Sequence, residues 1–212
     1  MDANFWQQKW ESNDIAFHER VANPFLVTYF KKLALRQGSR VFVPLCGKTL
    51  DIAWLLSQGY RVAGAELSAL AIAQLFQELG VEPVITSVGE LARYSASNID
   101  IFVGDIFALS GAQLGTVDVI YDRAALVALP PEMRKRYTAH LMEITARASQ
   151  LLITFEYDQR LMEGPPFSLT TDEIKRHYGK SFAVTLVNSK DVAGGLKGKC
   201  VAQENIWLLR HA

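Results

Sequence analysis

From residue 40 onward, short apolar runs alternate with stretches of helical spacing. Arg40–Val43 is β-branched and apolar and turns at Pro44, so it reads as a buried strand. Leu50–Gln58 places Ile52, Leu55 and Leu56 on one side, with Gly59 as a C-cap, which predicts a helix. Arg61–Glu66 is a second strand, and Ser68 stands where it can cap a helix over Ala69–Leu79 that Gly80 ends. Pro83–Val88 reads as extended, and the polar stretch through Asn98 predicts a hairpin or an inserted turn. Ile99–Val103 is a buried strand stopped by Gly104–Asp105, and Val117–Tyr121 is another that ends in Asp122–Arg123. Pro131–Ala148 is a helix opened by proline where a missing N–H costs nothing. Then come a strand at Gln150–Phe155 and a short helix at Thr171–Tyr178, capped by Thr170 or Thr171. Two alternating strands, Phe182–Val187 and Val201–Leu209, should pair antiparallel across Val192–Lys199. Glycines 194, 195 and 198 make that connection a mobile surface loop.

Alternating strands and helices predict an α/β fold: a mostly parallel, doubly wound sheet with helices on both faces and an antiparallel closing element. Residues 1–36 look helical and aromatic, a lid-like extension suited to the ligand end of the sheet. The length of 212 residues fits one domain spanning 1–212, and half of the residues are hydrophobic. Lys+Arg and Asp+Glu both total 22, a balance that argues against nucleic-acid or membrane partners, which call for basic excess. Met1–Asp14 has no basic segment leading into an apolar one, and charges interrupt every apolar run, so neither a signal peptide nor a membrane span is expected. Cys46 and Cys200 form no disulfide framework, which suits a cytoplasmic protein. The four histidines show no metal-ligand spacing, so no metal is expected.

Ligands of an open α/β sheet collect beyond the carboxyl ends of its strands. After the first strand comes Pro44-Leu45-Cys46-Gly47-Lys48-Thr49-Leu50-Asp51. Its Gly47-Lys48-Thr49 end looks like a phosphate-binding loop, but that motif needs glycine where Phe42 stands. No GxG occurs anywhere, so the dinucleotide fingerprint fails too. A tight turn around a ligand of little negative charge and an ordinary strand-to-helix turn both remain. Glu66 ends the second strand about twenty residues on, where a carboxylate can accept both hydroxyls of a ribose. Gly104-Asp105-Ile106-Phe107 offers a polar edge and an apolar face for an adenine. Arg123 leaves a buried strand and is either paired locally or directed at a ligand. Asp51 is helix surface or an orienter of the turn, and Arg134-Lys135-Arg136 a solvated helix face.

Together these residues resemble the thiopurine S-methyltransferase family over nearly the whole chain. The shared features are Trp6, Lys9, Trp10, Phe17 and His18, then Val43–Lys48, Gly64–Ser68, Asp105–Phe107 and Asp122–Pro131. The resemblance implies a class I, Rossmann-like sheet of seven strands and S-adenosylmethionine as cofactor. It implies that Trp10 lies against the methionine portion, Leu45 lines the turn, Glu66 holds the ribose and Ile106 covers the adenine. Arg123 is implied at the mouth between cofactor and acceptor, binding both, with Phe17 as an apolar wall for an aromatic thiol. The implied reaction is methylation of thiopurine sulfur by a monomeric enzyme, and bacterial relatives are also associated with selenium and tellurium species. The chemistry is a direct displacement to which the protein contributes alignment and electrostatics. An aromatic thiol ionises readily, so no general base is named, and Arg123 is the candidate stabiliser of the thiolate or acceptor ring. Two other classes are weighed against it. A nicotinamide-dependent oxidoreductase lacks its GxG and a Tyr-x-x-x-Lys pair, and a protein that only sequesters a metalloid or small ligand needs no turnover.

Overall fold

A computed structural model describes residues 3–15 and 18–211, which divide into two compact units meeting in the chain at Val119/Ile120. The first unit opens with helices α1 (Ala3–Glu11) and α2 (Pro24–Tyr29), the latter running into a 3-10 turn at Phe30–Leu33. Asn23 caps α2 through its side-chain oxygen, which accepts from the N–H groups of Phe25 and Leu26, and Pro24 occupies the first turn. Then follow β1 (Arg40–Pro44), α3 (Leu50–Ser57), β2 (Arg61–Glu66), α4 (Ala69–Leu79), β3 (Val84–Val88), β4 (Leu91–Ala96), β5 (Ile99–Val103) and the short α5 (Gly111–Leu114). Ser68 caps α4 and Gly80 ends it in the left-handed conformation, as the sequence predicts.

In this unit the strand order is β3-β4-β5-β2-β1. β1, β2 and β5 run parallel, with Val43 opposite Gly64 and Gly64 opposite Ile101. β3, β4 and β5 pair antiparallel, so the stretch expected to be a hairpin or an inserted turn is a hairpin. Val41, Phe42, Val62, Ala63, Ile101 and Phe102 are among the buried strand residues, and Ile52, Leu55, Ile72, Leu75 and Phe76 are among the buried helix residues. Removing such apolar surface from water is the main driving force for this layer arrangement.

The second unit carries β6 (Val119–Arg123), α6 (Pro131–Ile144), β7 (Ser149–Tyr157), α7 (Thr171–Tyr178), β8 (Phe182–Asp191) and β9 (Ala202–His211), in the strand order β6-β7-β9-β8. β9 pairs antiparallel with both β7 and β8, and a bulge at Val187 shifts the β8 register. Thr170, not Thr171, caps α7. α6 stops at Ile144, and Ala146 and Arg147 beyond it have positive φ.

Seven mostly parallel strands are therefore not what forms. Nine strands are present among the described residues, and the pairs β3–β4, β4–β5, β7–β9 and β8–β9 are all antiparallel. The late glycine loop also departs from a free surface connection. Leu196 and Cys200 bridge across it and are buried with Tyr157, Met162 and Ala202, and Lys197 Nζ donates to the Pro165 carbonyl at 2.7 Å.

Candidate functional site

The turn after β1 reverses sharply, with φ of +47° at Leu45 and +50° at Gly47. The left-handed conformation costs a residue with a side chain about 1 kcal/mol or more, so Leu45 is held there by its surroundings. Cys46 N–H donates to the Ala65 carbonyl at 3.0 Å and Thr49 N–H to the Cys46 carbonyl at 3.3 Å. Thr49 then caps α3 by accepting from Asp51 N–H.

Two glycines let this turn close on its neighbours. A Cβ at Gly64 would lie 2.6 Å from Ile101 Cδ1 and 3.0 Å from Cys46 Sγ, so β2 needs a bare backbone there for Cys46 to tuck in. A Cβ at Gly47 would lie 2.8 Å from Trp10 Cζ2, which shows the Trp10 indole lying directly on the turn. Trp10 is only 5% exposed. Gly47→Ala is expected to push the indole away and weaken cofactor binding about tenfold, equivalent to ~1.4 kcal/mol. Titration calorimetry measures the loss, and a shift in tryptophan emission reports the displaced ring.

Glu66, at the end of β2, ties the site together. Its Oε2 accepts from Gly47 N–H at 2.8 Å and its Oε1 from Ser68 N–H at 2.9 Å. The carboxylate is buried, and burial raises its pKa against the opposing pull of the Ser68, Gly47 and Leu67 N–H groups. The Glu66 carbonyl accepts from Gly104 N–H at 2.9 Å, which sets the end of β5 beside it. There Asp105 Oδ1 accepts from Phe107 N–H at 3.0 Å and starts a 3-10 turn whose first residue, Ile106, is buried. Cys46 is no competing nucleophile: burial first, and then the Glu66 charge, push its thiol well up.

Of the residues singled out in the sequence, Trp10, Leu45 and Glu66 thus meet through the Gly47 turn, and Ile106 follows from β5. Phe17 lies outside the described residues. Asp51 is not helix surface: it is buried, and its Oδ1 accepts from Asn23 N–H at 2.7 Å, so it anchors the start of α2. A carboxylate that receives a backbone N–H across 28 positions leaves no local signature.

In the second unit, Asp122 and Arg123 close β6 rather than follow it. Arg123 is half-buried. Asp122 is fully buried, its Oδ1 accepting from Leu126 N–H at 3.1 Å and its Oδ2 from the Tyr137 hydroxyl at 2.8 Å. Desolvation raises its carboxyl to about 6, with the Leu126, Tyr137 and Ala125 donors holding it from going higher. Arg134 is not on a solvated face either. It is 2% exposed, donates from Nε to the Leu129 carbonyl at 2.9 Å and pairs through Nη1 with Glu173 at 2.5 Å.

Among the described residues no group of three or more His, Cys, Asp or Glu side chains is placed to hold a metal ion. No described helix is long and apolar enough to cross a membrane.

The carboxylate at the end of β2 grips the turn after β1, and the fold around it is that of S-adenosylmethionine-dependent methyltransferases. The chain superposes with TM-score 0.67 on such an enzyme from Anabaena variabilis, at 17% identity over 99% of this chain and 95% of that one. It superposes with TM-score 0.66 on the 1,6-didemethyltoxoflavin-N1-methyltransferase of Burkholderia thailandensis, solved with S-adenosylhomocysteine, at 17% identity over 98% and 87% of the two chains. Within that class the chain belongs to the thiopurine S-methyltransferase (TPMT) family, whose profile matches residues 1–211. It is 54% identical to the thiopurine S-methyltransferase of Xanthobacter autotrophicus over the full length of both chains.

Proposed function

We propose that the protein transfers a methyl group from S-adenosylmethionine to the sulfur of aromatic and heterocyclic thiols, thiopurines among them. The Glu66 carboxylate carries this reading. A carboxylate offers roughly four acceptor positions, and the Gly47, Ser68 and Leu67 N–H groups that act on it leave capacity for a ribose hydroxyl. The residues therefore fit the cofactor. Glu66 would hold the ribose, Ile106 and its neighbours the adenine, and Trp10 and Leu45 the methionine portion. Bound there, the cofactor supplies an electrophilic methyl group on a sulfonium. The chain's own residues align the acceptor, exclude water and stabilise its negative charge. Arg123 is the group assigned to the thiolate or the acceptor ring, and Phe17 to an apolar wall beside it. No general base is assigned, because an aromatic thiol ionises readily.

Residues 1–36 serve in this account as a lid over the ligand end, supported by the contact of Trp10 with Gly47. The protein works as a cytoplasmic monomer on a small molecule, with no nucleic-acid or membrane partner. Its balanced charge and its two buried free cysteines support this. Selenium and tellurium species are further acceptors to assay.

Calorimetry with S-adenosylmethionine and with NAD, followed by turnover of 6-mercaptopurine, tests the proposal. Binding of the first ligand only, with turnover, is expected. NAD binding would revive an oxidoreductase, and binding without turnover on any thiol or chalcogen would point to a sequestering protein. Arg123→Ala is expected to lower kcat/KM for the thiol about 100-fold, in line with loss of one donor to a developing anion, with a smaller loss of cofactor binding. Unchanged turnover would remove that role.

A further inference from the structure

Beneath the turn that follows Arg123 lies a cluster of buried polar groups with no part in the reaction as described above. Asp122 takes the Leu126 N–H on one oxygen and the Tyr137 hydroxyl on the other. Between its backbone and Leu126 the chain passes through Ala124 at φ +62°, a conformation a side chain does not adopt without restraint. The carboxylate is that restraint, because it closes the turn from inside. Tyr137 comes from α6 and is fully buried. Tyr178, from α7, is also fully buried, has a hydroxyl without a hydrogen-bond partner among the described residues, and is affected by the Asp122 charge. The ionisable groups around Asp122 are therefore two phenols from two helices, together with its chain neighbour Arg123.

An ionised carboxylate surrounded by neutral donors is a costly way to hold a turn. A neutral amide would accept the same Leu126 N–H with less desolvation, but its NH2 would then face the Tyr137 hydroxyl, which donates to the carboxylate. Folded, the Asp122 carboxyl titrates near 6, above its unfolded value, so its contribution to stability is full below the unfolded pKa and lost as pH rises through 6. At neutral pH the charge thus works against stability, which is the pattern of a group kept for function.

We propose that Asp122 is a positioning residue: its buried carboxylate, oriented by Tyr137, sets the Arg123–Leu126 turn so that Arg123 is presented to the acceptor, and protonation of Asp122 releases that presentation. A proton on Oδ1 displaces the Leu126 N–H, and a proton on Oδ2 is accepted by the Tyr137 oxygen only if the phenol turns its own hydrogen away, so the hydrogen bond that orients the carboxylate is lost or reversed. This inference rests on the acceptor role of Arg123 proposed above.

The test is kcat/KM for 6-mercaptopurine between pH 5 and 9, with Asp122→Asn, Tyr137→Phe and Arg123→Ala beside the wild type. Acceptor ionisation and histidine titrations are common to all and cancel in the ratio of wild type to Asp122→Asn. That ratio is expected to be about tenfold or more above pH 7 and to fall toward unity below about 6. Tyr137→Phe removes a donor that lowers the Asp122 titration, so it should move the acidic limb to higher pH. Asp122→Asn should bind S-adenosylmethionine as the wild type does, and at pH 8 should melt no lower. A flat ratio, a loss confined to cofactor affinity or an unshifted limb in Tyr137→Phe overturns the proposal. The phenylalanine variant keeps the carboxylate, so it decides the matter even if Asp122→Asn does not fold. If Arg123→Ala is slow and Asp122→Asn is not, only this inference fails. If Arg123→Ala is unchanged, the role of Arg123 fails and this inference with it.

Discussion

Replacing Glu66 by glutamine is expected to weaken S-adenosylmethionine binding about 100-fold or more, although the two side chains are nearly identical in shape. Each carboxylate oxygen accepts from a different backbone N–H, Gly47 on one and Ser68 on the other. An amide must turn its NH2 toward one of them, so whichever way it lies, two donors oppose each other at a buried site. Leaving a buried donor unsatisfied costs about 1–3 kcal/mol, and hydrogen bonds to a charged acceptor contribute about 1.5–3 kcal/mol each. Both losses fall where the turn is shaped and where the ribose contact is proposed. Glu66→Asp is no remedy, since a side chain shorter by one methylene reaches only one of the two N–H groups. Calorimetric titration measures the effect, and affinity within threefold of the wild type for Glu66→Gln would show that this carboxylate does not hold the cofactor.

Arg134→Leu should destabilise the fold by about 3–5 kcal/mol, the range for removing one partner of a buried ion pair. The guanidinium satisfies the Leu129 carbonyl and the Glu173 carboxylate at once and lies 5.6 Å from the Phe167 ring centroid. Leucine leaves Glu173 with a charge it was holding below the usual carboxylate range; desolvation opposes that depression, and the hydrogen bonds and charges of His177 and Arg134 outweigh it. The stability from this group is present at neutral pH and is lost as pH falls through its depressed titration. For a chain of this size the drop in Tm should be about 10 °C. Lysine cannot replace the planar fork and should recover only part of it. Thermal melts at pH 7 check both variants.

The helix caps were more legible in the sequence than the sheet. Glu66 stands where the sequence placed it, at the end of a strand that follows a tight turn. Ser68 and Gly80 could be read because caps are local chemistry. The β3–β4 hairpin was only half visible, since Val84 and Ile85 are exposed and give no burial alternation. Arg134 sits in a basic run that reads as solvated, and its partner Glu173 lies 39 positions away. Asp51 and Asp122 share that difficulty. Each is polar in composition but buried in fact, and the groups that satisfy them, Asn23 N–H and the Tyr137 hydroxyl, come from other elements. Non-local satisfaction of buried polar groups is what periodicity cannot report. The glycines of the late loop suggested mobility, whereas Leu196 and Cys200 anchor it.

This chain moves a methyl group from S-adenosylmethionine onto sulfur. The most direct measurement incubates the protein with methyl-labelled cofactor and 6-mercaptopurine and locates the label in the product by mass spectrometry. Label is expected on the purine sulfur, formed in step with S-adenosylhomocysteine and greatly slowed in Glu66→Gln. Label on a ring nitrogen, or tight cofactor binding with no labelled product from any thiol, would contradict it.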